Sequence, residues 1–221
     1  MTNCPKAQDP RERFDIVLAD GTPTGRTKER AEVHRDGDWH RAVHVWVYGM
    51  ADQAPFLLFQ RRGLGKDTWP GRLDATVGGH LRAGERVEEA LRETEEEIGM
   101  PADASGLRQV GSRVSINENE PGVRDREVQS LFLLRNDRPL TDYRPHPAEL
   151  AALVRFPLPP LLALLAGESR SAPGDAISPG GSRVVRAAYE LADFIPSVDR
   201  YFFRVAVAAE AALRGDRYVV V

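Results

Sequence analysis

Apolar and polar positions alternate along this chain with two different periods, and their order predicts the fold. Phe14–Ala19 and a returning segment near Gly25–Arg30 flank an Asp-Gly turn signal and are predicted to pair as a hairpin. "HRAVHVWVYGM" (His40–Met50) and "PFLLFQRR" (Pro55–Arg62) are β-rich apolar runs on either side of a polar turn, a second strand pair. "WPGRLDATVGGH" gives a turn and a short strand ending in glycines. Val87–Ile98 has the helical period and stops at Gly99, with Pro101 beyond. Further strands are predicted at Arg113–Ile116, Val128–Leu134 and Ala151–Phe156. "PPLLALLAG" reads as a short helix, Ser171–Ser182 as a mobile loop by composition, and Val198–Arg214 as a closing helix. Strands before and after a central helix, with helices at the end, argue an α/β class with a mixed sheet covered by helices.

Composition narrows the function classes. The 221 residues fit one domain with additions, or two small ones. The balance of 30 basic and 33 acidic residues leaves a net charge of −3, with no long basic run. Nucleic acid is therefore not an expected partner, since phosphate neutralisation needs a basic face. Cys4, the one cysteine, lies in a polar tail over residues 1–12; this excludes an intrachain disulfide and suggests a reducing cytoplasm. No apolar run has the length of a membrane span.

The central helix poses an electrostatic problem, because Glu85 to Glu97 contains seven glutamates in thirteen residues. At 100° per residue, Val87, Ala90, Leu91, Thr94 and Ile98 form a buried stripe. Glu89, Glu93, Glu96 and Glu97 form a second arc, with Glu93 and Glu97 next to the buried edge. Like charges at these spacings cost about 0.2–0.5 kcal/mol per pair even in water. Arg86 and Arg92 are the only cations in the run. A solvated acidic face is one reading. Convergence beside the core, directly after a glycine turn, favours a divalent cation on hard oxygen ligands.

"GGHLRAGERVEEALRETEEEIGM" resembles the signature box of the Nudix hydrolases. Gly79, Glu85, Arg92, Glu93, Glu96, Glu97, Gly99 and Met100 take the box positions. Two departures stand out: six residues instead of seven separate Glu85 from Arg92, and Thr94 replaces an aliphatic. Counting back from Gly99 makes Gly78 the first glycine and puts Gly84 at the first glutamate position. The resemblance implies an α/β/α sandwich around a mixed sheet, to which the pattern of the chain adds an N-terminal β-hairpin and a C-terminal helical extension. It implies Mg2+, or Mn2+, on Glu93, Glu96, Glu97 and the carbonyl of Gly79, with Arg92 orienting Glu93. The implied reaction is hydrolysis of a small diphosphate-containing substrate.

"HRAVHVW", "RRGLGKDTWPGRLD" and "TVGGH" are similar to segments of the isopentenyl-diphosphate isomerase branch of the same superfamily. By that resemblance Arg62 and Lys66 grip the diphosphate, and His40 and His80 are second-site metal ligands. His34 is a third histidine at a spacing that differs by one. Glu127 is a further ligand or base, with Asp125 beside it, and Glu93 is the other candidate base. The isomerase's working cysteine corresponds to Gly78, which has no side chain for acid–base chemistry, so hydrolysis is favoured. A non-catalytic ligand-binding Nudix module, and an isomerase-like enzyme acting on a prenyl diphosphate, are the rival readings. Trp69 either stacks on substrate or plugs the core. Residues 13–157 are assigned to the Nudix domain. Residues 158–221 form the helical extension, which could cap the site, cover the sheet or build a homodimer interface.

Overall fold

The computed structural model describes residues 9–66, 68–101, 106–118 and 122–221, so Cys4 lies outside the described residues. The expected N-terminal hairpin is there: β1 (Arg13–Val17) pairs antiparallel with β2 (Pro23–Glu29). A helix that the pattern reading did not anticipate follows, α1 (Arg30–Asp36). Its signals were local: Glu29 and Glu32 form a capping box, and Gly37 closes the helix in the left-handed region.

β3 (Trp39–Ala51) organises the sheet. Along one edge it pairs in parallel with β8 (Asp125–Arg135) over Trp39–Tyr48. Its other edge is shared in turn by β1, by β6 (Val77–His80) and by β4 (Ala54–Arg62). β5 (Leu73–Asp74) joins β4, and β7 (Leu107–Asn117) joins the far side of β8. β9 (Leu150–Pro157) lies against β4. The sheet continues through β10 (Ala172–Ile177) and β11 (Val185–Tyr189). Among the strands of the described residues β3 and β8 are the parallel pair, which makes the sheet mixed.

Period-two alternation sends successive side chains to two cores. Trp46, Leu57, Phe59, Leu131, Leu133, Val154 and Phe156 face α3 (Leu158–Ala166) and α4 (Tyr201–Arg214). Val45, Val47, Phe56, Leu58, Val77 and Leu153 face Leu91 and Ile98 of the glutamate segment. The result is an α/β/α sandwich.

Three expectations need correction. The helix predicted from Val87 begins as α2 at Arg92 and ends at Ile98, after one 3-10 turn over Glu89–Leu91. Side chains capture the preceding backbone: Glu89 Oε2 takes the Arg86 N–H at 2.7 Å, and Glu85 Oε2 takes the Arg82 N–H at 2.8 Å. These closures favour tight turns over helix. Second, the composition-based loop over Ser171–Ser182 contains β10. Gly174 permits it, because a Cβ there would come within 2.9 Å of Phe156, Tyr189 and Val154. Third, residues 158–221 are not a purely helical extension, since β10 and β11 widen the sheet.

Candidate active site

One cavity of about 1320 Å³ takes in most of the residues singled out from the sequence. Its walls include Arg62, Lys66, Gly79, His80, Glu93, Glu96, Glu97 and Glu127. The two glycines of β6 explain how one strand serves two clusters. Alternation turns Gly79 toward α2, where an added Cβ would lie 2.5 Å from Glu93 Cγ. Gly78 faces the opposite way, and a Cβ there would meet the His44 ring at an ordinary 3.5 Å. Gly79, not Gly78, is therefore the glycine packed against the glutamates.

Within α2 the three acids differ sharply in setting. Glu97 is 2% exposed, and its one side-chain hydrogen bond among the described residues comes from Gln60 Nε2 at 3.5 Å. Burial pushes its carboxyl well above the usual range, opposed by Lys66 and reinforced by Glu93 and Glu149. Glu93 is pushed up to about 7 by burial, against the pull of Arg92 and with the help of Glu96. Glu96 is half exposed. Arg92 ties the group together: it meets Glu93 at 2.7 Å, Glu96 at 3.0 Å and Glu85 at 2.9 Å. Glu85, whose role the shortened loop left open, is thus the carboxylate that holds Arg92 in place. Its second oxygen lies 3.4 Å from the same guanidinium, a forked arrangement that fixes the plane.

Arg62 and Lys66 reach the cavity already engaged. Arg62 Nη1 donates to Asp74 at 3.1 Å, while Nε and Nη2 donate to Thr68 at 2.9 and 3.0 Å. Lys66 pairs with Glu149. Trp69 is half-buried on the cavity wall, with φ at +48°, a strained conformation for an aromatic residue.

The second cluster is assembled from four segments. His34 comes from α1, His40 from β3, His80 from β6 and Asp125 from β8, and one donor atom of each lies within 4.8 Å of all the others. His34 Nε2 and His40 Nε2 stand 3.7 and 3.5 Å from the same Asp125 oxygen, without the geometry of a hydrogen bond. Neither finds a hydrogen-bond partner among the described residues. Burial holds His34 down at about 2 and His80 at about 3, and it also lowers His40. Burial thus disfavours the protonated rings and leaves the Nε2 atoms of His34 and His40 as candidate ligand atoms, whereas His80 is engaged by Arg30 and Glu127. Glu127 Oε1 is 2.9 Å from His80 Nε2. Burial opposes its ionisation, but the contact with His80 together with the nearby His40 and His44 rings leaves the carboxyl well below its usual range.

The comparisons with known proteins agree with this geometry. A family model for the NUDIX domain matches residues 38–175. The chain belongs to the Nudix family.

An uncharacterised Nudix hydrolase of Clostridium acetobutylicum is 32% identical over 70% of this chain and 74% of its own length. Nudix hydrolase 3 of Arabidopsis thaliana is 49% identical, over 42% of this chain but only 12% of that protein. An isopentenyl-diphosphate Delta-isomerase of Leifsonia xyli is 38% identical over 44% of the chain, about half (52%) of its own length. Among solved structures, one from Deinococcus radiodurans superposes with a TM-score of 0.54 at 25% identity, covering 71% of this chain and 90% of that one. These relatives place the chain in the isomerase-like branch of the Nudix superfamily. No described helix is long and apolar enough to cross a membrane.

Both clusters fit metal ions by their donor chemistry. A buried Nudix-box carboxylate without a cationic hydrogen-bond partner, Glu97, is what a hard dication would stabilise. The orphaned imidazole nitrogens beside Asp125 suit a borderline first-row dication such as Zn2+, and the carboxylate also admits the harder Mn2+. Two contacts escaped the sequence reading altogether. Arg30 of α1 donates to His80 Nδ1 at 3.0 Å, and Tyr201 of α4 reaches His44 Nδ1 at 2.9 Å. Each joins residues 50 or more positions apart, which no local pattern encodes.

Proposed function

We propose that this Nudix protein is a magnesium-dependent hydrolase that cleaves the diphosphate bond of a small nucleoside or non-nucleoside compound. One observation carries the reading: three box glutamates, one of them buried, line a single cavity that Arg62 and Lys66 also line. Mg2+ held by Glu93, Glu96, Glu97 and the Gly79 carbonyl would supply charge neutralisation at the phosphate oxygens. The chain's own residues do the rest. Arg92, clamped by Glu85, keeps Glu93 and Glu96 convergent. Arg62 and Lys66, positioned by Asp74 and Glu149, present their positive charge to the diphosphate. Of the carboxylates that line the cavity, Glu93 and Glu127 are the two candidates to take the proton of the attacking water.

Isomerisation is disfavoured because Gly78 offers no acid or base. A pure binding module is disfavoured because all three box glutamates are retained. A screen of nucleotide and non-nucleotide diphosphates with Mg2+, read by phosphate release, tests the proposal. At least one diphosphate should be hydrolysed, and Glu93→Gln and Glu127→Gln should separate the base from the bystander. A chain that binds diphosphates without turnover would be a binding module.

A further inference from the structure

His44 lies outside both clusters, yet it lines the same cavity. On β3 it shares a face with His40 and Trp46 and sits opposite Gly78 of β6. Its Nδ1 is 2.9 Å from the hydroxyl oxygen of Tyr201, which also accepts the Trp46 Nε1–H at 2.8 Å. Tyr201 is 1% exposed, and its hydroxyl makes no further hydrogen bond among the described residues. These contacts determine the proton positions. Trp46 can only donate, so the tyrosine's own proton needs a separate acceptor. His44 Nδ1 is that acceptor within reach. The opposite tautomer would leave a buried hydroxyl proton with nowhere to go.

The ring proton therefore sits on Nε2. That atom has no hydrogen-bond partner among the described residues, and it borders the open space over Gly78. Arg113 holds the arrangement from behind: its guanidinium lies 4.2 Å from the Tyr201 ring centroid and is pinned to Asp199 at 2.9 Å.

We propose that His44 is a substrate-contacting hydrogen-bond donor, its tautomer fixed by Tyr201, which acts as a positioning residue supplied by the C-terminal segment. The acceptor is an oxygen of the diphosphate or of the atom joined to it; that identity rests on the function proposed above. The space left by Gly78 admits that oxygen to Nε2. A side chain at position 78 would occupy this space.

Two isosteric variants separate the donor role from a packing role. Asparagine reproduces Nδ1 and keeps the Tyr201 contact; glutamine reproduces Nε2 and keeps the cavity donor. His44→Asn is expected to lower kcat/KM by at least about tenfold, the size of one hydrogen bond to a charged group, with Tm unchanged. His44→Gln, which keeps the donor but loses the Tyr201 contact, is expected to lose at least about threefold less than His44→Asn. The reverse order of the two variants overturns the proposal.

Long-range 1H–15N spectra of the full chain give a readout independent of turnover, with His44→Gln assigning the signal. Wild type should show His44 protonated on Nε2, and Tyr201→Phe should yield a mixture of tautomers. Methylenediphosphonate added with Mg2+ should move the Nε2 signal. A wild-type Nδ1–H tautomer, or no movement at millimolar probe, overturns the proposal even if hydrolysis is found. If no diphosphate is hydrolysed, the proposed function fails, while the tautomer and the probe-induced shift still decide the role of His44.

Discussion

The carboxylate cluster and the histidine cluster share one cavity but are built in opposite ways. Glu93, Glu96 and Glu97 come from a single turn of α2, so helical spacing alone brings them together. His34, His40, His80 and Asp125 come from four separate elements and meet only when β3, β6 and β8 are in register. The first set offers hard, crowded oxygens whose ionisation burial opposes at Glu93 and Glu97, and a cation would favour their charged forms. The second is nitrogen-rich, three imidazoles beside one carboxylate, and burial disfavours the protonated rings. A site can thus be written locally, as repulsion that needs relief, or globally, as a coincidence of register.

The largest expected effect breaks the first cluster alone. Glu97→Gln keeps the shape of the side chain and removes its charge, and phosphate release should fall at least about a hundredfold, near 2.7 kcal/mol of transition-state stabilisation. The fold should tolerate the change, because without a cation burial already favours the uncharged form of this carboxyl, which glutamine resembles. Wild type should gain thermal stability on adding Mg2+, by about 2.7 kcal/mol at a hundred times Kd, and the variant much less. An equal gain in both would remove Glu97 from the metal site.

Next comes the glycine pair, which tests the geometry between the clusters. Gly79→Ala drives a methyl into Glu93 and should cost about 1–3 kcal/mol, along with most of the activity. Gly78→Ala meets only ordinary contact and should change stability by no more than about 0.5 kcal/mol. Thermal melts of the two variants settle the order, and equal destabilisation would contradict the alternation that sends them to opposite faces.

Breaking the second cluster should be milder. His40→Ala is expected to weaken Mn2+ binding at one of two sites by at least about tenfold, with the Glu97 site intact. Titration of Mn2+ followed by paramagnetic resonance gives the stoichiometry. Two undisturbed sites in the variant would show that the histidines serve packing alone.

This contrast also explains what the sequence made legible. The strands, the two-faced core and the α2 acids follow periods that any window of residues displays. The pairing of Arg92 with Glu85 was obscured because a side-chain-closed turn replaces helix before Leu91. α1 was missed although Glu29, Glu32 and Gly37 mark its ends, since its seven residues show too little apolar periodicity. β10 was hidden by Pro173 and Gly174, residues chosen by crowding from Phe156 and Tyr189 more than by strand preference. The Arg30–His80 and Tyr201–His44 contacts depend on tertiary placement alone.

The smallest effect concerns acid stability and isolates one imidazole that belongs to neither cluster. Burial lowers His44 below its ordinary value of 6.5; the charges of Asp74 and Glu127 push it up, and those of Arg113 and Arg62 push it down. The unfolded chain takes up a proton on this ring as pH falls through that value, whereas the folded chain does not. Its contribution to stability is therefore complete above about pH 6.5 and is lost progressively below it, at up to about 1.4 kcal/mol per pH unit. Denaturant melts in chelator between pH 7 and 5 should show wild type losing stability faster than His44→Asn by up to that slope. The other buried histidines titrate in both proteins and cancel in the difference. Parallel curves would mean that His44 stays as easily protonated in the fold as in the open chain, and that the Tyr201 hydroxyl does not depend on its lone pair.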